Sequence, residues 1–148
     1  MTQKMKLIAL SLSFFVLIAS AETFKKVDYY YQQEGKEKPQ EIGGSIATDP
    51  VAKSLRFQSK KMTVDIPAAS ITKIVYERAS KPRYAAGLLL AWPLLFTKSK
   101  KHYLTVQYAD AAGQGKFEIV RLDKDNVTTA LAALEADTGI RIQRTEER

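Results

Sequence analysis

The sequence has 148 residues, with 23 Lys and Arg against 16 Asp and Glu for a net charge of +7, and 45% of its residues are hydrophobic. It has no cysteine, which excludes disulfides, thiolate nucleophiles, thiolate metal sites and an acylated lipoprotein anchor. A moderate basic excess favours anionic partners in general and names none.

Lys4 and Lys6 form a basic n-region, Leu7 to Ile18 is apolar apart from Ser11 and Ser13, and Ala19-Ser20-Ala21 is an A-x-A site followed by Glu22. This order predicts a secretory signal peptide over residues 1–21, cleaved to leave an exported domain of about 127 residues in the periplasm or cell envelope. The competing reading is an uncleaved anchor helix, although the apolar run is short of the about 20 residues a span needs. Without Lys4 and Lys6 the domain keeps 21 basic and 16 acidic residues, about +5. Export removes nucleic acid from the expected partners. An anionic lipid surface or an envelope protein takes its place, with an ordinary lysine-rich soluble surface as the plain alternative.

Phe24 to Tyr31 reads as a first strand, with Val27, Tyr29 and Tyr31 alternating against Asp28 and Tyr30. Gln32 to Pro39 is a polar loop, and Ile42 to Ala47 a second strand in which Gly43-Gly44 marks a bulge or a close backbone approach. Asp49-Pro50 is a turn. Leu55 and Phe57 then alternate on a strand, Lys60-Lys61 turns the chain, and Met62, Val64 and Ile66 alternate again, which is a hairpin pattern. Pro67 to Ser70 interrupts, and Ile71 to Glu77 resumes as a strand. Beyond Lys101, Leu104, Val106 and Tyr108 alternate, Asp110 to Gly115 is a hairpin loop, and Phe117 to Leu122 returns. Val127, Ala130, Leu131 and Leu134 then fall at i, i+3, i+4 and i+7, one face of a helix that Asp123 or Asp125 would cap and Gly139 would end. Ile140 to Ile142 reads as a last short strand and 145–148 as a frayed tail. The expected fold is mainly β, about seven strands, with one C-terminal α-helix over a curved or barrel-like sheet in a single domain, 22–144.

Strands followed by one C-terminal helix resemble the layout of the PH-like superfold. Asp65 to Ile74 (DIPAASITKI) resembles the Pro-containing strand bend of bacterial PH-like and GRAM-like domains. Lys98 to Thr105 (KSKKHYLT) and Leu134 to Gly139 (LEADTG) resemble segments of small exported bacterial proteins of unknown function. The resemblance spans Ser54 to Ile142. It implies a fold and leaves the ligand open, since PH-like domains take lipids, peptides or proteins. The phosphoinositide signature of eukaryotic members is not recognisable here.

Residues 84–96 (YAAGLLLAWPLLF) carry no charge, with Arg78, Lys81 and Arg83 before them and Lys98, Lys100 and Lys101 after. As a helix this insert would reach about 20 Å against a hydrocarbon core of about 30 Å, and Pro93 would break it. Three readings stand: a core segment, a membrane-dipping loop, or a protein-docking patch. On the membrane reading, Leu88, Leu89, Leu90, Trp92, Leu94 and Leu95 make the apolar contact. Arg83, Lys98, Lys100 and Lys101 then meet anionic head groups.

Catalytic chemistry is not legible. His102, the one histidine, stands beside lysines and reads as a strand-end residue. Asp123 and Asp125 suit a helix N-terminus better than a cation site. The glycines at 43–44 and 113–115 open no phosphate loop. The Asn126-Val127-Thr128 sequon reads as accidental in a bacterial protein. The sequence is therefore read as a non-enzymatic binding or scaffold module without cofactor or metal. The alternative is a soluble periplasmic domain that binds a peptide or protein and buries the insert in its core.

Overall fold

The computed structural model describes residues 20–31, 39–80, 83–86 and 99–146. The alternating segments all form strands: β1 (Glu22–Tyr31), β2 (Gln40–Asp49), β3 (Ser54–Ser59), β4 (Thr63–Pro67), β5 (Ile71–Ala79), β6 (Lys101–Ala109), β7 (Gly115–Leu122) and β8 (Gln143–Glu146). One turn of helix, α1 (Arg83–Ala86), follows β5, and α2 (Val127–Thr138) follows β7. Among the described residues the sheet runs β4-β3-β2-β1-β7-β6-β5-β8. Two antiparallel meanders, β1–β4 and β5–β7, are joined where β1 pairs with β7, and a helix after the last meander strand covers the interior. This is the PH-like architecture, mainly β with one C-terminal helix over a curved sheet.

The bend that lets β1 serve both meanders is local. Its pairing with β2 shifts between Phe24 and Val27, and Lys26 takes a left-handed φ of 57°. An extra residue there raises the twist and turns the strand. The bulge lies in β1, not at the glycine pair of β2. Gly44 serves the other purpose expected of that pair, a close approach: a Cβ on it would lie 2.2 Å from the Gln58 carbonyl oxygen. Ala68–Ser70 forms a 3-10 turn between β4 and β5, with Ser70 donating its hydroxyl to the Pro67 carbonyl at 2.7 Å.

The interior is filled from every inward strand position. Ile46, Leu55, Ile66, Ile74, Leu104, Val106 and Val120 are fully buried, and Phe57 meets Tyr29 at 5.9 Å between ring centroids. α2 lays Val127, Ala130, Leu131 and Leu134 against this core. Each buried aliphatic side chain of this size contributes about 1.5–3 kcal/mol, which is what holds a helix too short to stand alone.

Gly139 closes α2 at φ 70° and donates to the Glu135 carbonyl, as a C-terminal glycine should. The N-cap is Asn126, without a side-chain cap bond, rather than Asp123 or Asp125. The Asp123 carboxylate instead accepts the Asp125 N–H at 2.9 Å and shapes the turn before the helix.

The last strand also differs from expectation. Ile140 to Ile142 is not strand; Ile142 is a buried plug, and β8 begins after it and runs parallel to β5 as far as Glu146, into the segment read as a frayed tail.

Candidate functional site

The two faces of the β1-β7-β6-β5 half-sheet differ in what covers them. The inner face packs into the core that α2 closes, with α2 itself lying against β2 and β3. On the outer face, cross-strand register aligns Glu77, Tyr103, Arg121 and Asp28 in one row, and Val75, Thr105, Ile119 and Tyr30 in the next. Six of these eight residues are buried although the sheet's covering helix lies on the other face: Val75, Thr105, Ile119, Tyr30, Tyr103 and Glu77. The Tyr30 and Tyr103 rings meet 6.3 Å apart, bridging the strand between them.

α1 supplies part of that cover. Ala85 is fully buried among Tyr30, Tyr103 and Ile119, with Phe117 beside them. The chain is fixed there by Glu77, a residue only 5% exposed. Its two oxygens accept the Tyr84 N–H at 2.8 Å and the Ala85 N–H at 3.2 Å. Lys73 adds its ammonium 4.8 Å from the centre of the Tyr84 ring, a cation–π contact. β5 and β6 remain paired up to Ala79 and Lys101, so residues 80–100 leave and re-enter the sheet at one hairpin end. The start of that loop is thus mounted on the outer face, away from α2.

Beside the mount, Arg121 joins Asp28 and, at 3.0 Å, Glu41. Burial pushes the Tyr30 and Tyr103 phenols above the usual tyrosine range, so both stay protonated and neither offers a base near neutral pH. His102 is stacked on Tyr76 with Nδ1 2.7 Å from the phenol oxygen. Burial first, and Arg78 second, hold its pKa below the ordinary histidine value, so it is neutral at pH 7. On the inner face, the Tyr108 hydroxyl donates to Glu118 at 2.9 Å. Burial raises the Glu118 pKa to about 7. Among the described residues no three His, Cys, Asp or Glu side chains are grouped to hold a metal ion.

The residues expected to contact a membrane or partner divide as follows. Arg83 opens α1 and is exposed, Lys100 is exposed just before β6, and Lys101 is the half-buried first residue of β6. These three are brought to one end of the half-sheet. Leu88, Leu89, Leu90, Trp92, Leu94, Leu95 and Lys98 lie outside the described residues. Of insert 84–96, Tyr84 is half-buried and Ala85 buried. Sequence reasoning missed Glu77 and the Tyr30–Tyr103 pair. The only signal available was Tyr30 and Glu77 themselves, the middle one of three consecutive tyrosines and the one carboxylate in β5.

No family model matches the chain, and no curated protein matches it in sequence. Eighteen chains of solved structures match in fold. One belongs to the structure of the Spt16D Pob3N heterodimer, at 10% identity and a TM-score of 0.48, covering 88% of this chain and 57% of that one. The chain therefore spans little more than half the length of that neighbour. At this identity the likeness adds nothing to what strand order and the capping helix establish. Among the described residues no helix is long and apolar enough to cross a membrane. A cleft beside the α2–β8 junction is lined by Glu135, Arg141, Ile142, Gln143 and Arg144. Glu135 fills the role of a clasp there, accepting the Ile142 N–H at 3.0 Å and pairing with Arg144 at 3.3 Å.

Proposed function

We propose that the protein is an exported, non-enzymatic PH-like module that rests on an anionic membrane surface through the loop between β5 and β6. The observation that carries this reading is the mount: a buried carboxylate, two backbone hydrogen bonds and a buried alanine hold the first turn of the loop at the hairpin end. A fixed root suits an apolar loop that must present Leu88 to Leu95 outward while Arg83, Lys98, Lys100 and Lys101 face head groups. Export itself rests on the n-region, apolar run and A-x-A site of residues 1–21, and N-terminal sequencing of the secreted protein should begin at Glu22.

A second reading has an observation of its own. Ile119 and Ala85 are fully buried on the face away from α2, so an insert that continued over that face would stay within a soluble peptide- or protein-binding domain. Liposome flotation separates the two. Leu89→Asp with Trp92→Asp should abolish flotation on anionic vesicles without changing the melting temperature. Unchanged flotation contradicts membrane contact, and unfolding of the double variant favours the second reading.

A further inference from the structure

The fold gathers more cations at the loop end than the sequence places there. Register puts Leu122 opposite His102 and Arg121 opposite both Tyr103 and Asp28, so the start of β6, the end of β7 and the bulge of β1 lie at one level. That level carries Lys101 on β6, Lys124 in the turn after β7, and Lys25 and Lys26 at the bulge. Asn126 ties the turn to the bulge by donating its side-chain amide to the Lys25 carbonyl at 2.9 Å. Strands sit about 4.8 Å apart, so β6 and β1 are separated by about 10 Å, one Debye length at 0.1 M salt. The charges therefore act together.

Among the described residues these cations have no acidic partner. Lys25, Lys26, Arg83 and Lys124 are exposed, and none of them, nor Lys101, makes an ion pair with a described residue. Of the neighbouring acids, Asp28 pairs with Arg121 and Glu77 holds α1, while Asp123 and Asp125 flank Lys124 and offset two charges. Lys26 also occupies its left-handed conformation, which a lysine adopts at a cost that glycine or asparagine would largely avoid.

We infer that Lys25, Lys26 and Lys124 extend the cationic flank of the β5–β6 loop into a continuous rim that seats on the head groups of an anionic bilayer. This rests on the membrane reading of the loop and adds to it three residues that are distant in sequence. The rim orients the domain, with the half-sheet end down and the β6–β7 hairpin away from the surface. A lysine at an anionic surface is worth about fivefold in partitioning, so three are worth about 100-fold.

The test is partitioning of the purified protein onto phosphatidylcholine vesicles with and without phosphatidylglycerol, at low and high salt. Lys25→Gln, Lys26→Asn and Lys124→Gln together should lower binding to the anionic vesicles by about 100-fold at low salt, with no change on neutral vesicles. Lys124→Glu alone, in an exposed turn, should lower it at least tenfold and keeps the test decisive if the bulge variant folds poorly. Binding within twofold of the unmodified protein overturns the rim. So does an equal loss when three charges are removed from the turns of the other meander, Lys53→Asn, Lys60→Gln and Lys61→Gln, because net charge alone would then account for binding. Leu89→Asp with Trp92→Asp distinguishes the loop from the rim. If that pair binds normally and the lysine triple does not, the rim stands and the loop contact falls; if the unmodified protein ignores anionic vesicles, both fall.

Discussion

Replacing Glu77 with Gln tests the mount directly. The side chain keeps its size, so no cavity forms, but one of the two acceptor oxygens becomes an NH2 that faces a backbone N–H. The Tyr84 and Ala85 bonds, at 2.8 and 3.2 Å, both end on the carboxylate, and Ala85 is fully buried. Losing one hydrogen bond to a charged group and stranding a buried donor costs about 2 kcal/mol. If α1 opens as a unit, its opening equilibrium rises about 30-fold. Amide hydrogen exchange at Tyr84 and Ala85 reads this, while amides of β6 and β7 report the rest of the sheet. The expected result is faster exchange confined to α1 with little change in the urea midpoint. Equal protection in both proteins would refute the idea that Glu77 holds the loop root.

Two further outcomes follow from the core. Glu118 has a folded pKa of about 7 against an ordinary 4.5, so the folded state holds its proton more tightly. Stability then falls as pH rises from about 4.5 to about 7, by about 3 kcal/mol at most, and is flat above. Glu118→Gln, which still accepts from Tyr108, should match the unmodified protein in urea at pH 4.5 and exceed it at pH 8; equal midpoints at both pH values would contradict the burial. Gly44→Ala drives a Cβ into the Gln58 carbonyl and should cost about 2–3 kcal/mol. Gly43→Ala meets nothing within 4 Å and should cost under about 1 kcal/mol by the same urea assay.

How much of this was legible in the sequence depends on how local the cause is. Leu55 with Phe57, Val64 with Ile66, and Leu104 with Val106 announce their strands because each segment buries one face. The i, i+3, i+4, i+7 set from Val127 to Leu134 and the stop at Gly139 announce α2 for the same reason. β8 was not legible. Gln143 to Glu146 contains no apolar residue, and the strand exists because Ile142 is plugged into the core and β5 has an unpaired edge. The glycine pair offered a bulge or a close approach, and Gly44 makes the close approach, whereas the bulge at Lys26 was not legible because the bend is required by β1 serving two meanders. At the candidate site, the cations at Arg83, Lys100 and Lys101 could be read from composition. The carboxylate that anchors α1 could not, because Glu77 becomes a cap only when the chain folds back on its own sheet.

What the apolar loop touches decides between membrane contact and burial, and Trp92, the only tryptophan in the sequence, reports it without a label. Its emission should be recorded with neutral and anionic vesicles, together with quenching by lipids brominated along the acyl chain. Membrane contact predicts a blue shift and strong quenching on anionic vesicles only, both reduced by the Lys25, Lys26 and Lys124 substitutions. An emission that is already blue-shifted in buffer and unchanged by either vesicle would contradict it and place the loop inside the protein.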